Sequence, residues 1–187
     1  IDICKDTLYC DEKNSPKRLA SVSAMAMIAK AFITTLAPIL TYTMDELIRY
    51  APIVVTKGAT SIFDMEKYTL PEITTDFQEE LLLEAKSKFA EIKDRLNKEK
   101  VIKSTLELEI YTTSEELLAL NSVMVEDWFV VSRVSNQKNN TLVGHFEVGK
   151  ESFEVYRSQK HKCPRCWKFQ ANKEESLCSR CEKVVVS

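Results

Sequence analysis

Two CxxC pairs, Cys163-Pro164-Arg165-Cys166 and Cys178-Ser179-Arg180-Cys181, stand eleven residues apart near the end of the chain. Each pair predicts a tight turn that aims two sulfurs at one point, and the residues between predict a short hairpin that brings the pairs together. Four thiolates close a tetrahedral shell around a zinc ion. A closed shell leaves no position for water or substrate, so the ion is expected to hold the fold and not to activate a nucleophile. A tail of this size has too little apolar surface to fold without it.

Around these cysteines lie Lys160, His161, Lys162, Arg165, Trp167, Lys168, Phe169, Lys173, Arg180 and Lys183, against only Glu174, Glu175 and Glu182. The tail is therefore cationic, although the whole chain has a formal charge of -2. Cations interleaved with aromatic rings suit single-stranded nucleic acid, where phosphates meet the charges and bases stack on the rings. The alternative is that Trp167 covers the metal site as a small apolar core and the lysines merely solvate it.

With 187 residues and 44% hydrophobic content, the chain has room for one ordinary domain and a small appendage. Three glycines argue against a turn-rich all-β protein and for long helices with a few strands. No apolar run in the sequence approaches bilayer length and the start carries no signal pattern, which reads as a soluble, intracellular chain. Cys4 and Cys10 have no ligand spacing and read as free thiols of a reducing compartment. The first residues, Ile1-Asp2-Ile3-Cys4, read as the middle of an element, cut from a longer polypeptide.

Ser15 followed by Pro16 is an N-cap and first-turn signal for a helix to about Leu36. Its apolar residues Leu19, Val22, Ala26, Ala29, Ile33 and Leu36, widened by Met25, Ile28 and Phe32, predict a face packed against other helices. Pro38 ends it. Thr43 with Glu46 resembles a capping box for a short helix through Tyr50, and residues 53–75 lack helical period. Asp76 and Glu79 are expected to cap a second long helix whose stripe is Phe77, Leu81, Ala85, Phe89, Ile92 and Leu96, with Lys93, Arg95 and Lys98 on its solvated face.

After Lys100 the period becomes two: Leu106, Leu108 and Ile110 alternate with Glu107 and Glu109, as in a half-buried strand. A short helix is expected from Ser114 to Leu120. Further strands are expected at 128–134, 142–148 and 153–156, with a polar turn at 136–140. The expected fold class is α-rich α+β.

A search for catalytic groups is nearly empty. The chain has no glycine-rich phosphate loop, GxSxG elbow or HExxH helix, and its histidines are His145, in an expected strand, and His161, beside the first cysteine pair. No catalytic residue is assigned.

Several collinear stretches resemble the C-terminal region of bacterial isoleucyl-tRNA synthetases. Lys5-Asp6-Thr7-Leu8-Tyr9-Cys10-Asp11 is similar to that family's KDxLYCD segment. Leu36-Ala37-Pro38-Ile39-Leu40 with Thr43 and Glu46 is similar to its LAPILxxTxxE segment, and residues 101–107 to its IGxSLE segment. Lys162-Cys163-Pro164-Arg165-Cys166-Trp167 with Leu177-Cys178-Ser179-Arg180-Cys181 resembles its terminal zinc finger, a type shared with formamidopyrimidine-DNA glycosylases. Lys103 departs from the family's glycine, and the interval between cysteine pairs is shorter than is usual for the finger.

The resemblance implies an anticodon-binding helical bundle over residues 1–100, an α+β junction domain over 101–158 and a zinc-finger tail over 159–187. It implies one structural Zn2+ on Cys163, Cys166, Cys178 and Cys181, and a tRNA anticodon stem-loop as partner. Arg165 and Trp167 match residues that engage the anticodon loop, and Lys162, Lys168 and Arg180 are the neighbouring candidates. Arg18 and Lys5 match the bundle's basic face less specifically. An exposed anticodon base can stack on an indole while a guanidinium pairs with a base edge or phosphate.

Neither the HIGH nor the KMSKS signature of adenylate formation occurs, so ATP and Mg2+ are expected only in a catalytic domain of the same polypeptide. That polypeptide reads as a cytoplasmic monomer that aminoacylates tRNA(Ile), and this portion as inactive alone. Two other readings stay open: a repair-type DNA-binding finger on a helical domain, and a purely structural zinc appendage.

Overall fold

The computed structural model describes residues 2–74, 79–121 and 125–186. In chain order the helices are α1 (Lys5–Cys10), α2 (Pro16–Leu36), α3 (Thr41–Tyr50), α4 (Ile53–Thr56), α5 (Glu79–Lys98), α6 (Glu115–Asn121), α7 (Val125–Phe129) and α8 (Ser179–Val186). The strands are β1 (Leu108–Thr112), β2 (Arg133–Ser135), β3 (Leu142–Val148), β4 (Glu151–Arg157), β5 (His161–Lys162) and β6 (Phe169–Ala171). The α-rich α+β class expected from the sequence is the class observed. The chain divides into two units, Lys13–Asp76 and Ile1–Glu12 with Phe77–Ser187.

In the first of these units, the Ser15 side chain accepts from the Arg18 backbone N–H and Pro16 occupies the first turn of α2, as Ser-Pro predicts. The core is small: Ile33, Met44, Ile48, Val55 and Ile62, with Ala26, Ala29 and Leu36 packed against it. Asp45 ties the loop after α4 to α3 by accepting from Ser61 Oγ and the Ile62 N–H, both at 2.9 Å. The other half of the expected α2 stripe, Leu19, Val22, Met25, Ile28 and Phe32, is exposed.

Two expectations fail in this unit. Thr43 and Glu46 lie inside α3, which starts at Thr41 after an N-cap Leu40 that makes no side-chain bond, so they form no capping box. The preceding turn at residues 37–40 leads directly into α3, and the Ala37 carbonyl accepts from Thr41 Oγ1. In addition, α2 is long and apolar enough, by length and composition, to cross a membrane. The sequence reading missed this because alanines and methionines, not an unbroken run of large residues, make it apolar. Helices packed in protein interiors meet the same two criteria.

The larger unit is built on a four-stranded sheet of order β2-β1-β4-β3, with β1 and β2 parallel and the other pairs antiparallel. A parallel neighbour needs a crossover, and α6 and α7 lie in the connection from β1 to β2. Helix α5 lies on the sheet, against β3, although the sequence groups it with the helices before it. Its buried residues Leu82, Ala85, Phe89, Ile92 and Leu96 join Leu108, Ile110, Phe146, Phe153 and Val155 in one core. Phe146 stacks on Phe153 with centroids 4.6 Å apart. Gly144 permits the close approach of α5, since a Cβ there would stand 2.9 Å from Ile92 Cγ2. The expected cap Asp76 and the stripe residue Phe77 lie outside the described residues.

Local chemistry also corrects two strand boundaries. Residues 105–107 form a 3-10 turn before β1, in which Glu107 is buried because its carboxylate accepts from the Lys103 and Ser104 N–H groups and from Arg157. The expected strand 128–134 is instead the end of α7, a left-handed Val130 with φ 57°, and then β2.

Candidate metal centre and its surroundings

The tail leaves the sheet at Ser158, whose hydroxyl donates to the Phe169 carbonyl at 3.1 Å, while the Phe169 N–H donates to Ser132 Oγ at 2.6 Å. These bonds seat the β5–β6 hairpin on the sheet. At its tip the chain turns sharply: the Trp167 N–H donates to the Cys163 carbonyl and the Cys163 N–H to the Lys168 carbonyl, each at 2.9 Å. The turn closes with Trp167 in the left-handed region, φ 65°. The second cysteine pair opens α8, with the Glu182 N–H on the Cys178 carbonyl.

These two turns bring Cys163, Cys166, Cys178 and Cys181 together, all buried, with their sulfurs within 4.8 Å of one another. The Cys166 and Cys178 sulfurs are 3.7 Å apart. A tetrahedral shell with bonds of ~2.3 Å needs sulfurs ~3.8 Å apart, so the four can hold a tetrahedral ion with no further conformational step than a small contraction. Burial works against a thiolate at Cys163, but the N–H groups of Cys166, Cys178 and Arg165 outweigh it and bring the thiol down to about 6. Burial pushes the Cys166 and Cys178 thiols up, so loading a cation there must displace protons. Among the described residues, the buried Arg180 Nε has no hydrogen-bond partner.

The basic residues singled out from the sequence divide sharply. Lys168 is 4% exposed and its Nζ lies 3.0 Å from Asp127, 3.1 Å from Glu126 and 3.4 Å from Asp6. Burial alone would discharge it; the carboxylates of Glu126, Asp127 and Asp6 hold it protonated. Arg180 forks onto Asp6 and reaches Asp11, and Arg165 donates to the Cys10 carbonyl at 2.6 Å and to Cys181 Sγ at 3.4 Å. Three of the candidate RNA contacts thus point inward. Lys5 is exposed on α1, and Arg18 is half-buried on α2 with its guanidinium on the Lys13 carbonyl, in the other unit.

Trp167 and Lys162 do face solvent. The indole is 61% exposed with the Lys162 ammonium 5.5 Å over its ring. A groove beside it is lined by Lys160, His161, Pro164, Phe169, Glu174 and Glu175 as well.

Sequence reasoning missed Asp6, Cys10, Asp11 and Asp127. Cys10 is buried among the four cysteines, where desolvation and the Asp6 charge push its thiol up to about 11. A signal was present in Asp6 and Cys10: a spacing of four puts both on one side of a short helix, which Asp11 follows directly.

No family model matches the chain. It is 58% identical over 186 residues to a protein of Aliarcobacter butzleri named isoleucine–tRNA ligase. Proteins of the same name from a Nitratiruptor species and from Sulfurimonas denitrificans are 50% and 44% identical over 185 residues. Each match covers 99% of this chain and 20% of the relative, so the chain spans about a fifth of the length of the curated relatives it matches. By descent the chain belongs with the isoleucine–tRNA ligases, as a stretch equivalent to a fifth of their length.

Proposed function

We propose that this chain is the C-terminal, tRNA-binding portion of a class I isoleucine–tRNA ligase, gripping the anticodon stem-loop while a catalytic domain of the same polypeptide charges tRNA(Ile) with ATP and Mg2+. Binding at the anticodon orients the distant acceptor end and contributes to discrimination between tRNAs. The parent acts in the cytoplasm as a monomer. The ion is Zn2+, since four thiolates in a closed tetrahedron are its preferred structural donors, and it supplies rigidity only. Residues 1–100, 101–158 and 159–187 serve as the anticodon-binding, junction and finger parts in RNA binding, with α5 of the first part packed on the sheet of the second.

One observation carries this reading: the exposed Trp167 is held in a left-handed conformation. A bulky residue with φ 65° is strained where glycine would not be, by ~1–2 kcal/mol. An indole kept there, half out of the fold and over a basic groove, is shaped to accept a stacked base. Lys162 and Lys160 stand where the adjoining phosphates would run. Arg165, Lys168 and Arg180 are assigned to the protein's own interior and not to RNA.

The test is binding of an isoleucine tRNA anticodon stem-loop to the parent protein and to Trp167→Ala at equal zinc content. Loss of one stacked base weakens binding by ~1–3 kcal/mol, or about fivefold to 150-fold. Unchanged affinity with zinc retained overturns the stacking role and leaves the structural appendage, which the inward-facing ion pairs favour.

A further inference from the structure

We propose that Arg165 and Arg180 are positioning residues of the metal centre, which offset the charge of the four thiolates and couple loading of the ion to the seating of α1. The inference rests on the zinc assignment made above. A dication on four thiolates retains two negative charges, and all four sulfurs are buried. Charge in such a place must be met by fixed donors or opposite charge, or the centre is disfavoured.

Two guanidiniums meet it. Arg165 donates to Cys181 Sγ, and among the described residues no carboxylate pairs with it, so its charge is available to the centre. Arg180 stands between the ligands Cys178 and Cys181 in the chain, and among the described residues its buried Nε has no hydrogen-bond partner, which leaves that donor for the thiolates. Each cysteine turn thus contributes one arginine beside the centre, and Arg165 of the first turn bonds a sulfur of the second.

The same two side chains grip α1. Arg165 Nη1 is 2.6 Å from the carbonyl of Cys10, the last residue of the helix, where a cation also meets the negative end of the helix. Arg180 forks onto Asp6 at 2.5 and 2.8 Å and reaches Asp11 at 3.1 Å. Since the cysteine turns fix where both arginines start, an ordered metal centre presents both donors to α1, and a disordered one presents neither. Equally, acids on α1 hold Arg180 where the sulfurs need it.

The test uses the intact 187-residue chain, with zinc transfer to a chromophoric chelator and site-resolved alkylation of Cys10 as two readouts. Expected for Arg165→Gln is zinc transfer at about tenfold to a hundredfold lower chelator concentration, the range for loss of an outer-shell partner, with Arg165→Lys nearer to the parent. In the parent, Cys10 is protected while zinc is bound and alkylates on chelation; in zinc-loaded Arg165→Gln its protection falls. Asp6→Asn touches no ligand, and severalfold looser zinc in this variant is the result that coupling requires. If the parent binds zinc but Arg165→Gln and Asp6→Asn hold it equally well, the inference is overturned. If the parent binds no zinc, the metal assignment itself fails first.

Discussion

The Arg180 guanidinium forks onto the Asp6 carboxylate with its two terminal nitrogens at 2.5 and 2.8 Å, across 174 residues of chain. This pair joins the first helix to the second cysteine turn. The neighbouring Lys168, which shares Asp6, joins both to α7. Positive charge that the composition of the tail offers to nucleic acid is thus partly consumed in holding the tail to its own unit.

Lys168→Met should destabilise the protein strongly. The methionine fills similar volume but leaves Asp6, Glu126 and Asp127 without the cation they surround, and loss of one partner from a buried ion cluster costs ~3–5 kcal/mol. Urea unfolding of the zinc-loaded protein measures it. A change below ~1 kcal/mol, accompanied by weaker RNA binding, would return Lys168 to the RNA-contacting set.

Gly144→Ala tests the seating of α5. The added methyl would meet Ile92 Cγ2 at 2.9 Å and the Arg95 guanidinium at 3.2 Å, and Arg95 also holds the Val143 carbonyl at 2.9 Å. Overpacking of this kind costs ~1–3 kcal/mol. The expected result is a lower melting temperature with zinc content unchanged.

Glu154 gives the sheet a pH dependence of known sign. The hydrogen bond from Lys138, 2.6 Å away, and then that from Tyr156 hold its carboxyl below the usual value of 4.5. A depressed carboxyl contributes stability that is present above its unfolded value and lost as pH falls through its lower folded value. Glu154→Gln should therefore be slightly less stable than the parent at pH 7, and the two should converge below pH 4.5. The pair is largely solvent-facing, so the difference is small; urea midpoints at pH 7 and pH 3 measure it, and a gap that widens in acid would contradict it.

Removal of the ion should act on one unit only. With chelator, amide signals of residues 161–182 are expected to collapse toward unfolded positions, since the closed thiolate shell is what orders so small a tail. Signals of residues 13–76, whose core is Ile33, Met44, Ile48, Val55 and Ile62, should stay in place. Two-dimensional NMR of the labelled chain before and after chelation distinguishes the outcomes.

Local rules were enough for much of this protein. Ser15 and Pro16 start α2 because the cap and the fixed φ act within one turn, and the two CxxC pairs converge because a thiolate quartet at that spacing has few other uses. The periodicity of α5 likewise declares a helix with one buried face. Tertiary structure alone decided what that face meets, a sheet and not a bundle, and which charges are spent inside. Asp127 and Lys168 are 41 residues apart and Asp6 and Arg180 lie at opposite ends, so no window of sequence contains their pairing. The outward indole of Trp167 belongs to the same class: only the closed turn, with its positive φ, determines that the ring points to solvent while the arginine two residues before it turns in.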